Sequence, residues 1–269
     1  MNNILKAKNV ISGYDNKIIV NDISITIPDS KISVIIGANA CGKSTFLKTI
    51  ARLLKVKSGS VVINEKEIGK INSKELAKTL GLLPQSPIVP EGITVIDLVS
   101  RGRFPYQGVV KGLKQDDYEA IEEALDIMGI HELANCRIDE LSGGQRQRVW
   151  ISMALAQNTD ILLLDEPTTY LDICYQIEIL DLLTDLNRKR GTTVVMVLHD
   201  INLSARYADN IFAIKNGKLI SEGSPEDVIS KELISDVFGL DSVVITDPIS
   251  RSPLIIPRGR HHKRDMVYS

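Results

Sequence analysis

A chain of 269 residues with 43% hydrophobic and 25% charged side chains has the composition of an ordinary globular protein, with room for one large domain or a core carrying an inserted unit. Its 32 basic and 34 acidic residues balance to −2, which excludes a global field that would draw it to nucleic acid or anionic lipid. No apolar run approaches the roughly 20 residues of a membrane span, and Met1 to Lys8 is polar with no secretion-signal core after it.

Three widely spaced cysteines, Cys41, Cys136 and Cys174, show no metal-ligand pattern and suit a reducing cytosol. Along the chain, Ile4 to Ile11 and Ile18 to Ile27 alternate loosely with period two around Gly13-Tyr14-Asp15-Asn16, which predicts two strands and a turn. Tyr14 in that turn reads equally as a packing residue or as a flat platform for a base.

Ile32 to Ile36 is an apolar run that predicts a buried strand, and a helical period follows from Lys43 through Phe46, Leu47, Ile50, Leu53 and Leu54. Between them, Gly37-Ala38-Asn39-Ala40-Cys41-Gly42-Lys43-Ser44-Thr45 fits the phosphate-binding loop. Its four fixed positions arise by chance in roughly one per cent of chains this long. The competing reading is a plain glycine turn with a surface lysine, and the flanking strand and helix weigh against it. Gly37 and Gly42 permit backbone angles that let successive amides converge on phosphate oxygens, and the helix N-terminus adds its positive end. Lys43 would reach the β- and γ-phosphates, and the Ser44 hydroxyl would take one position on Mg²⁺. Cys41, beside Lys43 and that helix end, has surroundings that lower a thiol pKa, so a reactive cysteine shielded by nucleotide is expected.

Val61 to Ile63 predicts a short strand after Ser58-Gly59-Ser60, and a helical segment follows from Ser73. Leu80 to Leu83 predicts a second core strand, which puts Gln85 at a carboxyl end, where parallel sheets bind ligands. From about 86 to 158 the pattern turns mostly helical: a start at Thr94 with Asp97, the Gly/Pro-broken Arg101-Gly-Arg-Phe-Pro-Tyr106, and an amphipathic stretch from Asp116 to Met128. An inserted unit of this kind is a site of conformational change. Leu141-Ser142-Gly143-Gly144-Gln145 opens its last helix; alone it reads as an ordinary N-cap, and its free amides also offer an anion site.

Ile161 to Leu164 is a fully apolar strand ending in Asp165 and Glu166. Carboxylates there are costly to bury unless a cation or water network needs them. Asp165 suits Mg²⁺ opposite Ser44, and Glu166 suits polarising an attacking water. Gln176 to Arg190 predicts a helix, and Thr193 to Leu198 one more buried strand. That strand ends at His199, a third polar group at the same sheet edge. Ile211 to Ile214, an Asn216-Gly217 turn and a capped helix at Ser224-Pro225 follow. The end, 241–269, predicts a short β appendage and a loose basic tail, Arg258 to Arg264, solvated rather than nucleic-acid binding.

Taken together, Gly37 to Thr45, Gln85, Leu141 to Gln145, Ile161 to Glu166, Leu171-Asp172 and His199 resemble, in order, the phosphate loop, Q-loop, signature, Walker B strand, D-loop and switch histidine of an ATP-binding-cassette (ABC) ATPase. The resemblance spans about residues 4–240 and implies an α/β phosphate-loop fold: an N-terminal antiparallel β part, an α/β core at 1–85 and 159–240, and the helical unit inserted between. It implies ATP and Mg²⁺ as cofactors, with Tyr14 stacked on adenine and Ser44, Gln85 and Asp165 around the metal. Glu166, His199 and Gln85 would be the catalytic groups. Ser142, Gly143, Gly144 and Gln145 would cover the nucleotide of a second cassette, so that two chains pair head to tail.

Residues 101–106, 148–157 and 165–172 further resemble the ferric-siderophore importer branch, which includes haem and cobalamin importers. The expected partners are permease subunits, a second cassette and, indirectly, an external binding protein; the expected place is the cytoplasmic face of the membrane. A soluble relative acting on nucleic acid would carry a long coiled coil or two cassettes, and the 122 residues between Lys43 and Asp165 hold no sustained heptads. One departure is Ala40-Cys41, where glycine is frequent at the first position; backbone amides do the binding, so tolerance is expected.

Overall fold

The computed structural model describes residues 4–85, 91–108, 112–169, 171–259 and 261. Most of the basic tail, the first residues of the expected helical unit (86–90) and Tyr170 lie outside the described residues.

Strands β1 (Leu5–Ser12) and β2 (Val20–Thr26) form an antiparallel pair, with Val10, Val20 and Ile23 wholly buried. Ile18 is excluded from β2 and half exposed. β3 (Ile32–Ile36) is buried along its whole length and leads into α1 (Lys43–Ile50). The helix stops before Leu53, which the apolar period had placed inside it. Arg52 adopts a left-handed conformation, φ 61°, that a helix cannot continue through, and Leu53 points outward. β4 (Val56–Ile63) is longer than its apolar part, because pairing with β1 draws in the polar Ser58 and Ser60, and β5 (Lys66–Glu67) pairs on its other side.

α2 (Ser73–Thr79) and β6 (Leu80–Leu83) precede the helical unit, which contains α3 (Val95–Ser100), α4 (Gln115–Ile127) and α5 (Gly143–Ala156). Thr94 caps α3 through the Asp97 amide and also donates to the Asp97 carboxylate. Arg103, in the Gly/Pro-broken stretch, is buried against Asp117 of α4 at 2.8 Å and stacks over Tyr106. This fastens 101–106 to the unit it interrupts.

β7 (Ile161–Asp165) is followed by α6 (Ile173–Arg190), which starts three residues earlier than its core pattern because Asp172 caps it. β8 (Thr193–Val197), α7 (Ile201–Tyr207), β9 (Asn210–Lys215) and β10 (Lys218–Gly223) complete the core. α8 (Pro225–Val228) and α9 (Lys231–Phe238) lead to a hairpin of β11 (Ser242–Thr246) and β12 (Pro253–Pro257). That hairpin is fastened to α7, with Asn202 bonded both ways to Ile255 and Arg206 paired with Asp247 at 2.6 Å.

The central sheet runs β10-β9-β3-β8-β7-β6, parallel from β9 to β6, with β10 antiparallel at one edge. Period two divides its residues between two cores. Ile32, Val34, Leu162, Leu164, Val194 and Met196 face α6 and the helical unit. Ile35, Leu163, Val195 and Val197 face α1 and the antiparallel sheet. Asp165 continues the row of Ile161 and Leu163, so alternation alone aims it at the α1 side.

Candidate functional site

The chemistry gathers at the carboxyl ends of four adjacent strands. β3 delivers the glycine loop, β8 delivers His199, β7 delivers Asp165 and Glu166, and β6 delivers Gln85. A cavity of about 480 Å³ opens there, lined by Asn39, Ala40 and Gly42 to Thr45 together with Gln85, Glu166 and His199.

The loop's shape depends on two glycines. Gly37 has φ 155°, and a Cβ there would lie 2.2 Å from the Ile214 carbonyl; Gly42 caps α1 with φ 109°. Lys43 is buried and donates to the carbonyls of Gly37 (2.8 Å) and Ala38 (3.0 Å), which bends the loop around its own ammonium. The Gly217 amide donates to the Cys41 carbonyl and the Gly217 carbonyl accepts from Asn21, so the β9–β10 turn ties the loop to β2. That tie brings Lys17 and Ile19 to the cavity wall, two residues the motif search passed over. Tyr14, in the connection between β1 and β2, stands exposed and does not line the cavity.

Cys41 corrects the sequence expectation. Cys41 is buried in the core cluster on the α1 side of the sheet, its thiol so close to the loop that a Cβ on Gly37 would lie 2.7 Å from its sulfur. Burial pushes the thiol pKa up, and the nearby Lys43 charge only partly offsets it. Cys41 therefore contributes backbone to the loop, not a reactive thiolate.

Ser44 Oγ donates to Asp165 Oδ1 at 2.8 Å. The other carboxylate oxygen, Oδ2, is buried with no hydrogen-bond partner, and burial, reinforced by the neighbouring Glu166, pushes the Asp165 pKa up. An orphaned carboxylate oxygen beside a serine hydroxyl is a hard-oxygen donor set that fits Mg²⁺.

Glu166 sits at φ 57° just past the strand end, a strained conformation that turns its side chain back over the sheet edge. Three side chains hold its carboxylate. His199 Nε2 lies 2.6 Å from Oε1, while Gln85 Nε2 at 2.5 Å and Thr169 Oγ1 at 3.1 Å reach Oε2. Thr169 lies within the Asp165 to Asp172 stretch, yet its spacing gives no reason to single it out.

Ser142 to Gln145 stand elsewhere: none of them lines the cavity. Ser142 Oγ accepts from the Gln145 amide, and the Gln145 side chain accepts from the Ser142 amide, a capping box that occupies both side chains. Gly144 packs under the Tyr175 ring at the start of α6.

Residues 20–169 match the family model described as ABC transporter. The chain belongs to the ABC transporter family. It is an ATP-binding, ATP-hydrolysing cassette. The cassette is 46% identical to a petrobactin import ATP-binding protein of Bacillus anthracis, over 97% of this chain and 95% of that one. It is 44% identical to a ferric enterobactin transport ATP-binding protein of Escherichia coli (strain K12), over 95% and 94% of the two chains. A dimeric bacterial ABC transporter cassette superposes with a TM-score of 0.72 at 33% identity, covering 82% of this chain and 98% of that one. Among the described residues, no helix is long and apolar enough to cross a membrane.

Proposed function

We propose that this cassette energises the import of a ferric siderophore, working as one of two head-to-tail copies against permease subunits at the cytoplasmic face of the membrane. The observation that carries this reading is the similarity, across more than nine-tenths of the chain, to two ATP-binding proteins named for iron-chelate uptake. Their named cargoes differ while their identity to this chain is nearly equal, which supports a choice of chelate made by the permease and an external binding protein.

In this reading the phosphates lie in the cavity against the amides of Ala38 to Thr45, and the Lys43 ammonium opposes the charge of the γ-phosphate. Tyr14 stacks on the adenine. Ser44, Asp165 and Gln85 would hold Mg²⁺, which when bound supplies positive charge to the β- and γ-phosphate oxygens. Glu166 takes the proton of the attacking water as the water oxygen bonds to the γ-phosphorus; the bond to the bridging oxygen breaks, and its electron pair leaves on ADP. His199 and Gln85 orient the Glu166 carboxylate, as their contacts of 2.6 and 2.5 Å support. Ser142, Gly143, Gly144 and Gln145 complete the site of the opposite copy, and the helical unit of about 86–158 moves against the core as the pair closes. Residues 241–259 and 261, the described part of the expected appendage 241–269, lie outside this cycle.

The test is uptake of radiolabelled iron from a panel of siderophores in cells lacking the protein, with labelled cobalamin and haem as controls. Loss of uptake from at least one siderophore, with cobalamin and haem uptake intact, supports the reading. Loss of cobalamin or haem uptake alone moves the cassette to a sister branch, and normal uptake of everything overturns import altogether.

A further inference from the structure

Thr169 belongs to no recognised phosphate, metal or base position, yet its hydroxyl is one of three groups touching the Glu166 carboxylate. The turn that carries it explains why. Glu166 enters the left-handed region, and the Thr169 amide then closes back on the Glu166 carbonyl at 3.3 Å. That closure brings the side chain three residues on against the carboxylate, with Thr169 Oγ1 3.1 Å from Glu166 Oε2. The neighbouring Thr168 is buried and Thr169 half-buried, so the hydroxyl sits on a short, rigid turn rather than on a free side chain.

The three groups differ in how firmly they are anchored. His199 is exposed, with 43% of its side chain open to solvent. Gln85 follows the end of β6 and lines the cavity, where arriving ligand competes for its amide. Thr169 alone is tied to Glu166 through a shared turn and does not line the cavity. A carboxylate whose other two partners are exposed to solvent or line the cavity is held most firmly by the group that shares its turn.

We propose that Thr169 is a positioning residue for ATP hydrolysis: its hydroxyl pins Oε2 of Glu166 and keeps Oε1 aimed at the attacking water. The proposal rests on the reading of Glu166 as the base that accepts the water proton. Thr169 itself touches neither nucleotide nor water. Its contribution is to orientation, so it acts on turnover and not on nucleotide binding.

The experiment measures steady-state ATP hydrolysis by the full chain, with its co-purified permease present, for Thr169→Val, Thr169→Ser and Glu166→Gln, alongside ATP affinity and a thermal melt for each. Valine keeps the shape of threonine and deletes the hydroxyl; serine keeps the hydroxyl. A hydrogen bond to a charged group is strong enough that Thr169→Val should lower kcat roughly tenfold or more while KM for ATP stays within about twofold. Thr169→Ser should recover most of that loss, and Glu166→Gln should bind ATP but lose roughly 10²–10⁴-fold in turnover. Wild-type kcat in Thr169→Val with a dead Glu166→Gln overturns the role of Thr169 and leaves the base intact. An equal loss in the serine and valine variants, or a KM that moves with kcat, also overturns it, because the turn and not the hydroxyl would then matter. Wild-type turnover in Glu166→Gln overturns the base and the positioning role together.

Discussion

Replacing Asp165 by Asn should make the nucleotide-free protein more stable while destroying its activity. Asn keeps the shape and the acceptor that Ser44 donates to at 2.8 Å, and it removes a charge whose second oxygen is buried without a partner. A buried, unsatisfied polar group costs about 1–3 kcal/mol, more when charged. For a protein of this size each kcal/mol shifts Tm by roughly 2–4 °C, so the variant should melt about 2–12 °C above wild type at neutral pH with EDTA and no nucleotide. The pH dependence follows from the raised pKa of Asp165. A carboxyl whose folded-state pKa lies above the unfolded value of about 3.9 binds protons more readily when folded. Wild-type stability therefore falls as pH rises from the unfolded value through the raised folded one, and the gap to the variant opens over that window. Below about pH 4 the two should melt together. Adding Mg²⁺ and ATP should reverse the order, since a ligand at 100 times its Kd contributes about 2.7 kcal/mol and the variant has lost a ligand oxygen. A variant less stable than wild type in EDTA at pH 7.5, or a gap that does not change with pH, would refute the account of Asp165 as a charge held in readiness for a cation.

Lys43→Ala removes both the loop's internal brace and its positive charge, and calorimetric titration should show ATP affinity weakened roughly tenfold or more; unchanged affinity would count against the phosphate-loop assignment. Mass spectrometry after brief alkylation at pH 7.5 should find the exposed Cys174 modified first and the buried Cys41 at least about tenfold more slowly, with or without Mg-ATP; equal rates would show that the Cys41 thiol faces solvent. The hydrogen bond from Arg206 holds the Asp247 pKa well below the usual carboxylate range, so this pair stabilises the folded state above the unfolded pKa near 4 and loses that contribution as pH falls below it. Relative to the intrinsic exchange rate at each pH, protection of the β11 and β12 amides should fall on acidification, and Asp247→Asn should lower it already at pH 7; identical protection in the variant would remove Asp247 from the hairpin's anchorage.

Much of the site was legible because its elements obey short-range rules. A strand buried on both faces reads as a continuous apolar run, and a polar residue where that run stops stands at a sheet edge, as Asp165, His199 and Gln85 do. Alternation fixed even the side toward which Asp165 points. The glycine loop announced itself through spacing alone. What spacing could not convey was tertiary. Cys41 looked activated because Lys43 is its near neighbour in sequence, but the chain folds the thiol under Gly37 and Ile214, and desolvation outweighs the cation. The end of α1 hangs on one left-handed residue, Arg52, in a stretch whose apolar period continues. The polar half of β4 became strand only because β1 offered it a partner. Thr169 was invisible for the same kind of reason, since its contact exists only if Glu166 adopts a positive φ.

Sheet order adds one thing that motif order conceals. The loop, Gln85, the carboxylates and His199 occur in that sequence along the chain, but their strands lie in the order β3, β8, β7, β6. His199 is therefore delivered between the phosphate loop and Glu166, and Gln85 on the far side of Glu166, so the carboxylate is gripped from both flanks. Ser142 to Gln145 lie at the head of α5 in the helical unit and take no part in this grip. Their side chains are spent on capping each other, and what the helix end still offers a ligand is the positive end of its dipole. In the proposed head-to-tail pairing, the phosphate loop's helix N-terminus would hold one nucleotide, and this second helix N-terminus, which lies outside the cavity, would meet the nucleotide of the other copy.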